Sequence, residues 1–168
     1  APGQIVSSNS CALAGLVERA GAAAHVYDIA KDTLESLRHQ FDTARDADVL
    51  ITTGGASVGD HDLVRPALEA SGATLAFYKL ALRPGKPMFF GTRHVDGKIQ
   101  RIVGLPGNPV SAMVCAHVFV LPLLRRLEGQ SDEANERSAI LAEDLPANGP
   151  RQHYMRALLT HRSDAALP

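Results

Sequence analysis

The alternation of apolar and polar positions along the chain predicts helices and strands in turn. Apolar residues at helical spacing, bounded by capping residues and glycines, predict helices at residues 9–20, 33–44, 63–71 and 110–127. Short apolar runs rich in β-branched residues predict strands at residues 24–29, 48–53, 74–80, 88–91 and 101–105. The Asp96-Gly97 pair is typical of a tight hairpin turn. This order predicts an α/β fold, a three-layer and mainly parallel sheet with helices on both faces.

A polar stretch, QSDEANER at residues 130–137, interrupts the apolar pattern after the longest helix. We interpret it as a linker. Residues 1–129 then form the α/β domain, and residues 138–168 form the start of a small, truncated β domain. A chain of 168 residues is long enough for one such core domain and a part of another.

Composition and charge exclude several classes of function. Hydrophobic residues make up 45% and charged residues 21% of the chain, the balance of a soluble globular protein. The formal net charge of −1 provides no overall field that would recruit nucleic acid. The longest apolar run, residues 110–124, is interrupted by Ser111, His117 and Pro122, so no membrane-spanning helix is predicted.

The cysteines and the first residues of the chain favour the cytoplasm. Residues 1–10 lack the basic start and apolar core of a signal peptide. Cys11 and Cys115 lie far apart in sequence, each in an apolar helical stretch, which favours buried, reduced thiols over a disulfide. Neither has a nearby cysteine partner, so a zinc site is not expected.

Three glycine-rich loops, each following an apolar run rich in β-branched residues, indicate a ligand site at the carboxyl ends of the strands. Their sequences are TTGGASVGDHD at residues 52–62, RPGKP at residues 83–87 and LPGNP at residues 105–109. Small residues leave successive backbone N–H groups uncovered, so a phosphate can approach the main chain. Asp60 and Asp62 add carboxylates where a divalent cation could bridge to phosphate, and Arg83 and Lys86 add cations without a nearby acid.

Several of these residues also have a structural interpretation. Asp32 could cap the helix at residues 33–44, with Glu35 at the spacing of a capping box, and we weigh capping and function equally. The turn at residues 106–109 could be scaffold or substrate loop, since a proline suits the first helical position. Ser57 is expected to donate a hydrogen bond rather than act as a nucleophile, because no His–acid pair accompanies it. For Asp60 and His61 we favour exposed side chains over ligand roles.

The ordered set TTGGASVGDHD, YKLALRPGKP and LPGNPVSA resembles the molybdopterin molybdenumtransferase family, which includes the E domain of gephyrin. The resemblance extends from residue 3 to about residue 129 and is weaker from residue 138 onward. It implies an enzyme of molybdenum cofactor biosynthesis that inserts molybdate into adenylylated molybdopterin and releases AMP. Two alternatives stay open. One is a molybdopterin adenylyltransferase, which shares the first loop, and the other is a non-catalytic pterin-binding or scaffolding module.

The resemblance also implies roles for individual residues. The residues matched to catalysis are Asp62, Asp32 and Lys79, with Asp62 also holding Mg²⁺. The pterin nucleotide would contact two of the loops, at Gly54, Gly55, Ser57, Gly59, Pro106, Gly107, Asn108 and Pro109. Molybdate would meet Arg83, Lys86 and Arg151, with Arg156 a further basic candidate.

Partners and departures from the family complete the expectations. The resemblance implies small-molecule substrates, a homodimer in the full-length protein and contact with molybdopterin adenylyltransferase, with neither nucleic acid nor membrane as partner. The family's Thr-Gly-Asp-Glu strand, which precedes the segment starting at Gly3, is absent, and Ser7 stands where an Asp is usual. Arg83 replaces the usual first Lys of the basic loop. We therefore expect this chain alone to fold and to bind ligand weakly without turnover.

Overall fold

The computed structural model describes residues 8–55, 63–77, 80–131 and 137–160. The helices are α1 (Asn9–Arg19), α2 (Leu34–Thr43), α3 (Val64–Ala70), α4 (Pro109–Cys115) and α5 (Leu121–Leu127), with a π-helical turn (Ala116–Val120) joining the last two. The strands are β1 (Val49–Thr53), β2 (Thr74–Phe77), β3 (Leu82–Arg83), β4 (Phe89–Val95), β5 (Lys98–Leu105) and β6 (Gln152–His153).

The main sheet of the described residues has the strand order β1-β5-β4-β2. Strands β1 and β5 are parallel, whereas β4 is antiparallel to both of its neighbours. The predicted α/β fold is confirmed, but this sheet is mixed rather than mainly parallel. The reason is the Asp96-Gly97 turn, in which both residues have positive φ, 49° and 77°, and which reverses the chain directly into β5.

Helices cover both faces of the sheet, so the predicted three layers are present. On one face α1, α4 and α5 pack over Val103 and Leu105. On the other face α2 and α3 pack over Leu50 and Ile102. Adjacent residues of β5 point to opposite layers because side chains alternate along a strand.

Close packing fixes the position of Gly104 in β5. It pairs with Phe89 across the sheet, and a Cβ atom at Gly104 would overlap the Phe89 ring. The absence of a side chain therefore lets Phe89 lie flat against the sheet with no exposed surface.

Two sequence-based predictions of local structure were wrong. Residues 24–29 form no strand, because a strand needs a hydrogen-bonding neighbour and no described segment pairs with them. Helix α2 is capped by Thr33 rather than Asp32, since Thr33 Oγ1 accepts a hydrogen bond of 3.2 Å from Ser36 N. In return, Ser36 Oγ accepts from Lys31 N at 2.9 Å.

The helical stretch Pro109–Leu127 is continuous, as predicted, but contains the π-helical turn, which ends two residues before Pro122. A proline has no N–H to donate to the preceding turn, which favours a local change of hydrogen-bonding pattern. The stretch has 19 residues and a mean hydropathy of 1.6, enough by length and composition alone to cross a membrane. Its residues Ala112, Cys115, Ala116, Val120 and Leu124 are buried in the core, and a core helix passes the same test.

The described part of residues 137–160 contains one strand, β6, which pairs in parallel with β3. The division at residues 130–137 and the small β domain at residues 138–168 stay predictions. Both cysteines are free, as expected, but Cys11 is exposed and only Cys115 is buried.

Candidate functional site

The first and third glycine-rich loops meet at one edge of the sheet. Parallel strands β1 and β5 end there together, with Thr53 opposite Leu105. The chain continues from β1 into Gly54, whose N–H donates to Leu105 O at 3.1 Å. A Cβ atom at Gly107 would lie 3.5 Å from Gly54 Cα, so the two loops are in backbone contact. Gly54 and Gly55 both have positive φ, 80° and 66°, which suits glycine.

The basic loop reaches the same edge by a different route from the one expected. It precedes β4 rather than following a parallel strand, and β4 is antiparallel to β5, so Phe89 starts opposite Gly104. Lys86 O closes the loop by accepting from Leu80 N at 3.3 Å and Met88 N at 3.2 Å. Arg83 and Lys86 are exposed, and neither forms an ion pair with any described residue.

A buried contact holds the basic loop against helix α4. Gly85 is buried, and a Cβ atom there would overlap Cys115 Sγ. Burial raises the pKa of the Cys115 thiol to about 11, so it stays a neutral packing group at physiological pH. The loop that carries Arg83 and Lys86 is thereby fixed to the helix that follows the third loop.

Strand β6 brings a second basic segment to this loop. Arg83 pairs with His153, and Tyr154 N donates to Arg83 O at 2.8 Å. Arg151 directly precedes β6 and Arg156 follows it closely, and both are exposed. The predicted association of Arg151 and Arg156 with the basic loop thus has a structural basis, which is the pairing of β3 with β6.

Asp32 lies on a groove of about 1040 Å³ beside β1, which is an edge strand of the sheet formed by the described residues. The same groove is lined by Thr53, Gly54 and Gly55, so Asp32 shares it with the first loop. Capping no longer explains Asp32, because Thr33 is the cap. Thr52 Oγ1 also belongs to this strand, and within the described ranges it is a buried side-chain oxygen without a hydrogen-bond partner.

Several predicted site residues lie outside the described residues. These are Ser57, Gly59, Asp62 and Lys79, together with Asp60 and His61. The metal was predicted at Asp62. Among the residues that the structure describes, no three His, Cys, Asp or Glu side chains group closely enough to hold a metal ion. Asp62 lies outside those residues, so its metal role stays a prediction.

The turn at residues 106–109 has a structural role in its own helix. Asn108 Oδ1 accepts from Ser111 N at 3.1 Å and caps α4, and Pro109 starts the helix, as predicted. Pro106 is buried and Gly107 is exposed. Asn108 and Pro109 thus have a structural role at the start of α4, and a contact of Gly107 with substrate stays a prediction.

Asn9 is a residue whose role the sequence did not reveal. Its Nδ2 donates to Gly107 O at 2.8 Å across 98 residues of sequence, and its side chain is buried. It fixes the position of the third loop relative to α1. An Asn at the start of a helix is typical of a cap, which concealed this long-range contact.

Residues 1–126 match the family described as "Probable molybdopterin binding domain". The chain belongs to this family. The resemblance to molybdopterin molybdenumtransferases is also confirmed by individual relatives. The chain is 38% identical over 173 residues to molybdopterin molybdenumtransferase 2 of Mycobacterium tuberculosis, covering 99% of this chain and 42% of the relative. It is 40% identical over 157 residues to the molybdopterin molybdenumtransferase of a Nostoc species, covering 92% of this chain and 36% of the relative.

The fold has counterparts among solved structures. A molybdenum cofactor biosynthesis protein from Pyrococcus furiosus superimposes with a TM-score of 0.68 at 26% identity, covering 88% of this chain and 46% of that one. The chain therefore spans less than half the length of these relatives.

Proposed function

We propose that the protein to which this chain belongs inserts molybdate into adenylylated molybdopterin and releases AMP. The observation that carries the proposal is the pairing of β3 with β6, which places the segment from Arg151 to Arg156 beside the loop of Arg83 and Lys86. Four cations thus come from two parts of the chain, without an ion pair to any described carboxylate. Unneutralised cations of this kind suit a dianion such as molybdate.

The chain's own residues would divide the work between two neighbouring places. The glycine-rich loop that begins at Gly54, beside Gly107, would hold the phosphates of the nucleotide. Arg83 and Lys86 would bind molybdate through charge-assisted hydrogen bonds and bring it to the dithiolene sulfurs of the pterin. Proximity and neutralisation of charge would then be the main catalytic effects. Asp32, exposed at the same groove as Gly54, is one of the described carboxylates available to this site.

Binding measurements with single substitutions test the proposal. A charge-assisted hydrogen bond contributes about 1.5–3 kcal/mol, so Lys86→Ala should weaken molybdate binding about ten- to a hundredfold. Its affinity for the pterin nucleotide should change little. Arg83→Lys, which restores the family's usual residue, should be nearly neutral. Lys98→Ala is the matched control, because Lys98 is an exposed lysine at the opposite end of β5.

Isothermal titration with molybdate and, separately, with the pterin nucleotide provides both affinities. A Lys86→Ala variant that loses pterin affinity and keeps its molybdate affinity would assign the basic loop to phosphate and refute the molybdate role. In the full-length protein, molybdate-dependent release of AMP would support the transferase. Transfer of AMP from ATP onto molybdopterin would instead support an adenylyltransferase.

A further inference from the structure

The groove beside β1 follows that strand over its full length, since all five residues of Val49–Thr53 line it. Residues 22–30 line it as well, and they have no strand partner among the described residues. In this segment Val26 is 58% exposed and Ile29 is 83% exposed, so apolar surface is open to solvent. A groove of this form fits an extended polypeptide segment better than a compact small molecule.

The backbone of β1 presents unpaired hydrogen-bonding groups to the groove. At the two ends of the strand, Gly54 N donates to β5 and Asp48 O accepts from β5. The direction of the backbone groups alternates along a strand, so every second residue between them points away from β5. These residues are Val49, Ile51 and Thr53. Within the described ranges β1 has no second neighbour that could pair with them.

Helices close the groove on both faces of the sheet. Leu13 and Val17 of α1 line it from one face. Leu37 and Phe41 of α2 line it from the other face. A segment in the groove would therefore lie within the sheet layer, covered by a helix on each side. Strands that are buried on both faces are apolar at nearly every position.

The connections between the elements predict which strand belongs there. Helix α2 leads from residues 22–30 to β1 on one face, and α1 leads into residues 22–30 on the opposite face. Crossovers between parallel strands are right-handed, so crossovers on opposite faces run in opposite directions across the sheet. A strand that enters α1 thus lies between residues 22–30 and β1. It ends where α1 begins, at the edge where Asn9 bonds Gly107, and so runs parallel to β1.

The charges of the lining predict the amino end of this strand. Asp46 and Asp48 directly precede β1 and line the groove at its amino end, and both are exposed. Glu128 at the end of α5 adds a third carboxylate, whereas Arg101 is the one lysine or arginine in the described lining. Basic residues at the amino end of the occupant would complement these carboxylates.

We propose that this groove binds one further β-strand, which pairs in parallel with β1 and belongs to the polypeptide that leads into α1. The strand is apolar and rich in β-branched residues, with basic residues at its amino end. The matched part of the Mycobacterium tuberculosis relative is 42% of its length, which leaves ample polypeptide for such a strand. Its carboxyl end would emerge beside Gly54 and Gly107, so the residues after it would join the candidate site. The inference goes beyond the proposed reaction and does not depend on it.

A synthetic peptide tests the groove in trans with this chain. The peptide Arg-Lys-Val-Ile-Val-Ile-Val-Thr, labelled with a fluorophore at its carboxyl end, should show a saturable rise in fluorescence anisotropy. The same peptide with Arg-Lys moved to the carboxyl end should bind about three- to tenfold more weakly. Proline in place of the central valine should weaken binding about tenfold or more, because it removes a donor from the ladder.

Substitutions in the chain test the predicted polarity. Asp46→Asn combined with Asp48→Asn should weaken the peptide with the basic amino end about three- to tenfold. The peptide with the basic carboxyl end should be unaffected. Glu18→Gln combined with Glu35→Gln is the matched control, since both are exposed carboxylates that do not line the groove. Melting temperatures would show that both variants are folded.

Hydrogen exchange followed by NMR locates the bound peptide. The amides of Val49, Ile51 and Thr53 should exchange about tenfold or more slowly with peptide bound. The amide of Leu50 points to β5 and should change less. No saturable binding, equal affinity of the two peptide polarities, or no added protection at these amides would overturn the proposal.

A second copy of the chain is the competing occupant. Protection of the same amides without peptide, increasing with protein concentration, would assign the groove to that copy and would equally overturn the proposal. None of these measurements involves molybdate or nucleotide, so failure of the strand is distinguishable from failure of the proposed function.

Discussion

Arg93 is a buried cation held by hydrogen bonds, and its partner Gln100 provides a sharp test of the fold. Arg93 is 3% exposed and Gln100 is 2% exposed. Arg93 Nε donates to Gln100 Oε1 at 2.7 Å, and Arg93 Nη2 donates to Phe41 O. Gln100 Nε2 donates to Ala44 O and Ala47 O, both at 2.7 Å. Burial lowers the pKa of Arg93 from its ordinary value, and the negative charge of Asp42 partly offsets this decrease.

The network joins the β4–β5 hairpin to the carboxyl end of α2. Substituting Gln100 and substituting Arg93 should therefore have different costs, because each substitution leaves a different set of hydrogen-bonding groups unpaired. Gln100→Ala removes one charged and two neutral hydrogen bonds and leaves the Arg93 cation buried with fewer partners. At about 1.5–3 kcal/mol for the charged bond and about 1 kcal/mol for each neutral one, the expected cost is about 3.5–5 kcal/mol. Arg93→Met removes two charge-assisted hydrogen bonds, about 3–6 kcal/mol, but it also removes the desolvation cost of the buried cation, which is several kcal/mol. We therefore expect a net cost of only about 1–3 kcal/mol.

Urea unfolding followed by circular dichroism measures both free energies. The slope with denaturant should be unchanged, and the midpoint of Gln100→Ala should be the lower of the two. The control is His94→Ala, because His94 is an exposed neighbour of Arg93 on the same strand and its loss should be close to neutral. If Arg93→Met proves as costly as Gln100→Ala, then the buried charge itself stabilises the fold and the reasoning is refuted.

Two further predictions concern the cap and the thiol. Thr33→Ala should lower the free energy of unfolding by about 1 kcal/mol through loss of the cap of α2, whereas Asp32→Ala should be nearly neutral. Urea unfolding measures both values, and a larger loss for Asp32→Ala would identify Asp32 as the cap instead. Burial raises the pKa of the Cys115 thiol to about 11, whereas an unfolded thiol has a pKa of about 8.5. The stabilisation by the neutral, buried thiol is therefore fully present below pH 8.5 and is lost as the pH rises toward about 11. Cys115→Ala should remove this alkaline loss from the profile of stability against pH, whereas substitution of the exposed Cys11 should leave the profile unchanged. Equal profiles for the two variants would show that the Cys115 thiol does not cause the loss.

The sequence predicted most elements correctly because their signals are local. The turn at Asp96 and Gly97 needs positive φ at adjacent residues, and the start of α4 at Pro109 follows from the geometry of the proline ring. Residues 24–29 have an equally strong apolar pattern and yet form no strand, because a strand also depends on a neighbour that the pattern does not reveal.

For the candidate site, the sequence predicted which loops carry the chemistry, because glycine, proline and basic residues in the three motifs are recognisable without a fold. Only the tertiary structure decided how they meet. The antiparallel direction of β4 turns the basic loop to the edge where β1 and β5 end, and β6 adds its cations by pairing with β3. The contacts of Asn9 with Gly107 and of Cys115 with Gly85 likewise join residues far apart in the chain. Such contacts depend on the packing of whole elements, and no local pattern of residue types encodes them.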